Sequence, residues 1–351
     1  MAFATIKNVS IRGISACVPA HIEENINLPV FKEGEAERVI AQTGIERKHT
    51  VEPGTTVTDL CAAAFEKLIA ELSWERESIE ILILVSSAGD YITPASANVL
   101  HGRLNLSEEC LCYDIRQGCP GWIVGMSTVS SLMMTGNYKR AILLCGDSST
   151  IMKSPKDKET RPLFGDAGTA TALEYNENAA PIYLEHGSRG KDWQAIMAHD
   201  GGLRHPVTEK SLVYEEFGEN IVRRPIDSMM NGMDVFGFAI SVAPKSLTSL
   251  MEKFNLKDED VDTYLFHQAN KYLNEKIRKK LKLDPDKVPY SLKDFGNTGP
   301  ATIPLTLVTQ CRDKYHTTHQ RTIACAFGVG LAWANMYFET NRIVCPELIL
   351  Y

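Results

Sequence analysis

Three positions in this chain carry side chains that could work together as a nucleophile, an imidazole and an amide donor. The nucleophile candidate is Cys119, within Tyr113-Asp-Ile-Arg-Gln-Gly-Cys119-Pro-Gly-Trp-Ile-Val-Gly-Met126. The mostly apolar run Cys110 to Ile115 reads as a short buried strand. Gly118 breaks it, and Ile123 to Leu132 reads as an apolar, small-residue helix. Pro120 suits the first turn of that helix, where its missing N–H would have no intrahelical partner. The pattern puts Cys119 in a tight strand-to-helix turn, where the helix dipole favours a thiolate and free amides point outward. Such a turn can lift a nucleophile out of a sheet. The competing reading of a free cysteine is a small buried core residue.

His267, in Phe266-His267-Gln-Ala-Asn270, follows a predicted strand, and ligands collect at the carboxyl ends of strands in open α/β sheets. Asn297 lies in the turn Gly296-Asn297-Thr-Gly-Pro-Ala-Thr-Ile-Pro304, which leads into a helix over 305–311. Taken singly, a strand-end histidine is a core residue and a Gly-Asn pair is only a turn. With Cys119 in the opposite half of the chain, the three form a constellation suited to nucleophilic catalysis.

The elements that must position these residues follow from periodicity. Predicted strands are 7–19, Ile81–Val85 and Ala141–Gly146 in the first half, then Asp262–Phe266 and Thr322–Phe327 in the second. Predicted helices cover 31–42, 56–72, 95–104, 236–254 and 271–283. The paired strands of each half are separated by about 60 residues. The helices between them end in similar phrases, Arg103-Leu-Asn-Leu106 and Lys280-Leu-Lys-Leu283. Alternating strands and helices imply an α/β protein with mostly parallel sheets, built from a duplicated unit. Residues 186–228, with His199-Asp-Gly-Gly-Leu-Arg-His205, read as an irregular connection covering the site.

Size and composition bound the possibilities. At 351 residues the chain exceeds the usual span of one core. It is 44% hydrophobic and 23% charged, ordinary for a soluble globular protein. A net charge of −7 argues against a general nucleic-acid binder. Nine scattered cysteines and no visible signal peptide suggest reduced thiols and a cytoplasmic location. No apolar run is long enough to span a membrane. Cys110-Leu-Cys112 and His316-Thr-Thr-His319 lack the paired spacing of a zinc site, so no metal is expected.

The motifs Thr43-Gly-Ile-Glu-Arg, Asp114-Ile-Arg-Gln-Gly-Cys119, Phe164-Gly-Asp-Ala-Gly168, Asn231-Gly-Met-Asp-Val-Phe236, His267-Gln-Ala-Asn270, Gly296-Asn297-Thr and Phe327-Gly-Val-Gly330 occur in one order along the chain. Carrying them, the chain resembles the β-ketoacyl-acyl-carrier-protein synthase III (FabH-like) family. The resemblance implies a duplicated, thiolase-like five-layer αβαβα fold, with an N-terminal half over 1–178 and a C-terminal half over 179–351. It implies a homodimer and a triad of Cys119, His267 and Asn297, with the backbone N–H groups of Cys119 and Val329 as oxyanion hole. Substrates would be phosphopantetheine thioesters, on an acyl carrier protein or coenzyme A, with no bound cofactor. A Claisen condensation would join an acyl group on Cys119 to a malonyl- or β-ketoacyl-type thioester. The implied substrate pocket includes Thr93, Trp122 and Phe236; the donor entrance includes Arg38, Lys158 and Asn270. Lys271, Lys276, Lys279 and Lys280 lie on the face implied to dock the carrier protein, where steering of an acidic partner gives the charge a physical reason.

Departures from the family pattern shape the substrate expectation. Arg38 and Lys158 stand where members that take acetyl-CoA sandwich the adenine between a tryptophan and an arginine, which favours carrier-protein donors. Thr93 stands where a larger residue would close the acyl pocket, implying a medium or long primer. The turn Gly118-Cys119-Pro120-Gly121-Trp122 replaces the usual Ala-Cys-Ser-Gly-Phe. These changes point to specialised lipid or polyketide biosynthesis. Other readings are acyl transfer to an alcohol or amine, acetyl-CoA-primed fatty-acid initiation, and a silent scaffold subunit. The intact triad argues against the last.

Overall fold

Continuous aliphatic runs such as Ile81-Leu-Ile-Leu-Val85 have no polar face, so a strand made of one must be covered on both sides. The computed structural model, which describes residues 2–351, shows that arrangement. Ile81, Ile83 and Val85 enter one hydrophobic core, whereas Leu82 and Leu84 enter another. The strand Arg140–Asp147 divides the same way, with Leu143 and Cys145 inward and Ile142 and Leu144 outward. In the second half Leu265, Ala324 and Ala326 face the shared core, while Tyr264, Phe266, Ile323, Cys325 and Phe327 face a third.

Five layers result. The helices Val57–Leu72 and Ser96–Arg103 cover the outside of a six-stranded sheet. The helices Gly121–Met133 and Thr302–Gln310 lie between that sheet and a second, five-stranded one. Helices Gly232–Phe254 and Lys271–Leu281 cover the outside of the second sheet. Thr56 caps the first of these helices in a capping box with Asp59, which satisfies donors that the first turn leaves free.

The internal echo is present in the strand order. In the first half Ile81–Ser86, Arg140–Asp147, Ala167–Tyr175 and Val9–Val18 lie side by side. The second half repeats that order with Thr263–Phe266, His319–Gly328, Ala332–Asn341 and Ile182–Ser188. The 60-residue spacing is a pairing register, because Ile81 pairs with Ala141 and Thr263 with Thr322, both in parallel.

Three expectations need correction. The sheets are mixed, not mostly parallel: Ala167–Tyr175 and Ala332–Asn341 run antiparallel to their neighbours, and only the second is reached by a tight turn, from the end of His319–Gly328. The strand before Cys119, Leu111–Arg116, is an edge strand whose side chains are exposed or half-buried, since only Ile81–Ser86 pairs with it. The terminal strands also cross the 178/179 division. Ala2–Ile6 joins the second sheet beside Ile182–Ser188, and Ile349–Leu350 joins the first beside Val9–Val18.

Trp122, expected in the substrate pocket, is instead a core residue. It is fully buried, donates from Nε1 to Thr171 Oγ1 at 3.0 Å, and meets Phe338 edge-on at 5.9 Å. Cys119 precedes the Gly121–Met133 helix, whereas Trp122 lies within it and packs into the core between the sheets. Trp122→Ala is expected to destabilise the protein by about 3–5 kcal/mol, as large aromatic deletions from packed cores do. Thermal unfolding followed by circular dichroism checks this; an unchanged midpoint would contradict the core assignment.

Candidate active site

Cys119, His267 and Asn297, separated widely in sequence, line one cavity of about 740 Å³. Gly118 and Gly328 make this meeting possible. A Cβ on Gly328 would lie 2.4 Å from Cys119 Sγ, and one on Gly118 would lie 2.2 Å from Val329 Cγ1. Only glycine lets the end of the His319–Gly328 strand rest against the Cys119 turn. That contact sets Val329 beside the Cys119 turn, and the backbone N–H groups of Val329 and Cys119 favour the thiolate form of the sulfur. An oxyanion hole needs such backbone donors beside the nucleophile, aimed at the oxygen that develops on the attacked carbonyl.

Local hydrogen bonds set what each side chain offers. His267 is 1% exposed, and its backbone N–H bonds to Cys325 O, continuing the preceding strand. Its Nδ1 lies 2.8 Å from Thr302 Oγ1, and that hydroxyl donates to Gly299 O at 3.1 Å. With the hydroxyl proton so used, Nδ1 carries the imidazole proton and Nε2 is left with its lone pair. Asn297 is held by its backbone between Leu163 O and the Gly165 N–H. Its Oδ1 accepts from the Gly299 N–H at 3.0 Å, which leaves the amide NH₂ as a free donor.

The electrostatics correct one expectation. Burial pushes the Cys119 thiol up, Asp147 adds to that push, and the two backbone donors and Lys153 pull against it. Desolvation therefore outweighs the helix N-terminus, and the resting sulfur is a thiol, not a preformed thiolate. Burial also drives His267 down to about 3, so its imidazole is neutral. A neutral thiol beside a neutral imidazole can transfer its proton as it attacks, which suits general-base-assisted nucleophilic catalysis.

The remaining expected residues divide. Phe236, Lys158 and Asn270 line the cavity. Phe236 stacks on Tyr272 at 5.8 Å, Lys158 donates to Glu35 Oε1 at 3.2 Å, and Asn270 caps the Lys271–Leu281 helix by accepting from the Leu273 N–H. Arg38 is exposed and outside the cavity, whose wall on the Glu35–Thr43 helix is Val39, Gln42 and Thr43. Thr93 is exposed and does not line this chain's cavity. Lys271, Lys276, Lys279 and Lys280 are exposed on one helix, whereas its Arg278 is engaged by Glu275. The segment over 186–228 is less irregular than expected, because Ile196–Ala198 pairs with Ser228–Met230 and both strands supply cavity wall.

Sequence reasoning missed Asp147, Ser87 and Lys153. Asp147 ends the Arg140–Asp147 strand, the kind of position where ligands collect, and that signal was available. It is buried and accepts from Ser86 Oγ, the Ser87 N–H and Ser87 Oγ, fixing the loop beside Cys119. Lys153, buried in the same wall, sits in the polar run Lys153-Ser-Pro-Lys-Asp-Lys158, where nothing in the sequence distinguishes it from the exposed Lys156.

The chain is similar to known proteins along nearly its whole length. Residues 113–190 match the family model for 3-oxoacyl-[acyl-carrier-protein] synthase III, and residues 251–340 match its C-terminal counterpart. The solved 3-oxoacyl-(acyl-carrier protein) synthase of Burkholderia xenovorans LB400 is similar, with 30% identity and a TM-score of 0.93. That match covers 100% of this chain and 99% of the other. A β-ketoacyl-[acyl-carrier-protein] synthase III of Staphylococcus aureus is 29% identical over 336 residues, covering 95% of this chain and 100% of that relative. One from Desulfitobacterium hafniense is 27% identical over 327 residues, covering 93% and 96%. Among the described residues no helix is long and apolar enough to cross a membrane.

Two pH effects follow from the burial of the pair. Alkylation of Cys119 by iodoacetamide, followed by peptide mass spectrometry, should keep accelerating through pH 9; a plateau near pH 7 would mean a preformed thiolate. His267 titrates at about 3 when folded, against an ordinary 6.5. Below pH 6.5 the unfolded chain therefore binds a proton that the folded chain refuses, so stability falls as pH drops toward 3. In urea unfolding at pH 6.5 and pH 4.5, His267→Gln should lose less stability on acidification than the parent. Equal losses would contradict the depressed value.

Proposed function

This chain belongs to the 3-oxoacyl-[acyl-carrier-protein] synthase III family of condensing enzymes, and from that premise we propose that it loads an acyl group on Cys119 and extends it by decarboxylating Claisen condensation. The observation that carries the proposal is the free amide NH₂ of Asn297, with its oxygen tied to the Gly299 N–H, in the same cavity as His267 and the amide-cradled Cys119 sulfur.

In the first half-reaction, Cys119 Sγ attacks the carbonyl of an acyl thioester while His267 Nε2 takes the thiol proton. The Cys119 and Val329 N–H groups hold the oxyanion; the donor carbon–sulfur bond then breaks, and the proton leaves with the released thiol. In the second, a carboxylated thioester loses carbon dioxide, leaving an enolate. The Asn297 NH₂ donates to the enolate oxygen. His267 donates from Nε2 in its other tautomer, with Nδ1 accepting from the Thr302 hydroxyl, which rotates off Gly299 O. The enolate carbon attacks the acyl carbonyl, the bond to Cys119 breaks, the sulfur takes a proton from water to restore the thiol, and a β-keto thioester departs. An ionised aspartate at position 297 could only accept, so the neutral amide favours condensation over simple acyl transfer.

The cavity wall supports a medium or long primer. Met152, Met197, Met230 and Met233 line it, and methionine walls adapt to flexible chains. No tryptophan lines it among the described residues, which favours a carrier-protein donor over coenzyme A. Exposed Lys271, Lys276, Lys279 and Lys280 offer a positive face to such a carrier. The half-exposed edge strand Leu111–Arg116 supports a homodimer, since an open edge is a ready pairing surface. A role in specialised lipid or polyketide biosynthesis accords with these features.

Intact-protein mass spectrometry after exposure to acyl-carrier-protein and acyl-CoA thioesters of increasing length tests the scheme. Medium and long acyl carrier proteins should load the parent and fail to load Cys119→Ala. Asn297→Asp should still load, yet condense about 10²–10³-fold more slowly, the usual effect of losing one oxyanion donor. Loading by acetyl-CoA alone would return the chain to fatty-acid initiation, and undiminished condensation by Asn297→Asp would remove the amide from the reaction.

A further inference from the structure

Three cations line the cavity, Arg116, Lys153 and Lys158, and only Lys153 is buried, at 5% exposure. Burying an ammonium costs free energy unless its charge and its three donors find partners. Lys153 Nζ makes one hydrogen bond, to Ser228 Oγ at 2.6 Å, and lies 4.0 Å over the Phe164 ring centroid. Among the described residues no carboxylate approaches it to ion-pair distance. The acids whose charge it feels are committed elsewhere, Asp157 to Arg223 at 2.7 Å and Asp147 to Ser86 and Ser87. Burial lowers Lys153 to about 8, with Asp147 opposing the fall, so the amine is still largely charged at neutral pH. Donors are therefore left over on a wall that also holds Cys119.

This wall is not the purely apolar surface that an alkyl chain needs. Ser87, Ser149 and Ser228 line the same cavity as Lys153 and Asp147. We propose that Lys153 is a specificity-determining residue that donates to an oxygen acceptor on the acyl group carried by Cys119, so that the primer is an oxygenated chain, bearing a ketone or a carboxylate, in preference to a plain alkyl one. The proposal rests on the reading that Cys119 is acylated. A charged donor left bare against an alkyl chain loses its water and gains nothing, which is how a polar site rejects the analogue lacking the group.

The test follows acyl loading on Cys119 by intact-protein mass spectrometry, using carrier-protein thioesters of equal length that are unsubstituted, 3-oxo or ω-carboxylated. The parent should load one or both oxygenated thioesters at least about tenfold faster than the unsubstituted one, and the favoured arm identifies the acceptor as ketone or carboxylate. Lys153→Met should bring that ratio close to one, and Lys153→Arg should keep part of it. Thermal melts of both variants separate this result from unfolding. Equal loading of all three thioesters by the parent would overturn the assignment. So would uniform slowing by Lys153→Met with the ratio intact, which would place the lysine's effect on the thiol. Failure of the parent to load any thioester would overturn the acyl-enzyme reading and this assignment together.

Discussion

The site depends on one close approach, the end of the His319–Gly328 strand resting on the Cys119 turn. Each side of that contact belongs to a different half of the chain, and each is stripped to glycine where they touch. A Cβ at Gly328 would displace the sulfur, and one at Gly118 would displace Val329. Without the approach the Val329 backbone could not lie beside Cys119, and the proposed oxyanion hole would lose its second donor. The five layers can be viewed as the scaffold for this contact. Two sheets, each covered outside, clamp the two central helices, and Cys119 and Asn297 lie in the segments just ahead of them.

Closing the two halves also sets the chemistry, because it dries the site. Desolvation raises the Cys119 thiol and lowers the His267 imidazole, so both rest neutral. A helix N-terminus alone would have favoured a thiolate, but its effect is of order 1 kcal/mol and does not outweigh full burial. The same dryness raises the value of every hydrogen bond inside. The Thr302 hydroxyl and the Gly299 backbone therefore matter as much as the triad, since they decide which atom of His267 and of Asn297 faces the reactants. Thr302 can serve both imidazole tautomers, accepting from Nδ1 or donating to it.

Much of this was legible in the chain. The aliphatic runs at Ile81 and Ala141 marked strands buried on both faces, and their spacing anticipated their pairing register. The Gly118-Cys119-Pro120 break located the strand-to-helix turn, and the motifs around His267 and Asn297 located the other two members of the cavity. Less was legible where a residue's environment depends on distant segments. Trp122 lies only three positions after Cys119, yet its side chain packs into the core beside Phe338. Arg38 shares a helix with the cavity-lining Val39 and Gln42 but faces solvent. The antiparallel strands Ala167–Tyr175 and Ala332–Asn341 are not among the predicted strands, and their place in the sheets depends on distant partners.

Local pattern alone thus determined the α/β class, the duplicated plan, and the turn that presents Cys119, since period, glycine breaks and apolar runs act over a few residues. Tertiary structure decided everything that depends on what comes to lie opposite. It decided that the sulfur is protonated at rest, because burial arises from two halves meeting. It decided that strand Leu111–Arg116 is an edge, because pairing needs a partner the chain does not supply. And it decided that Lys153, written in a run of ordinary surface lysines, is the buried cation of the cavity wall, because only the folded chain brings Ser228 and Phe164 against it.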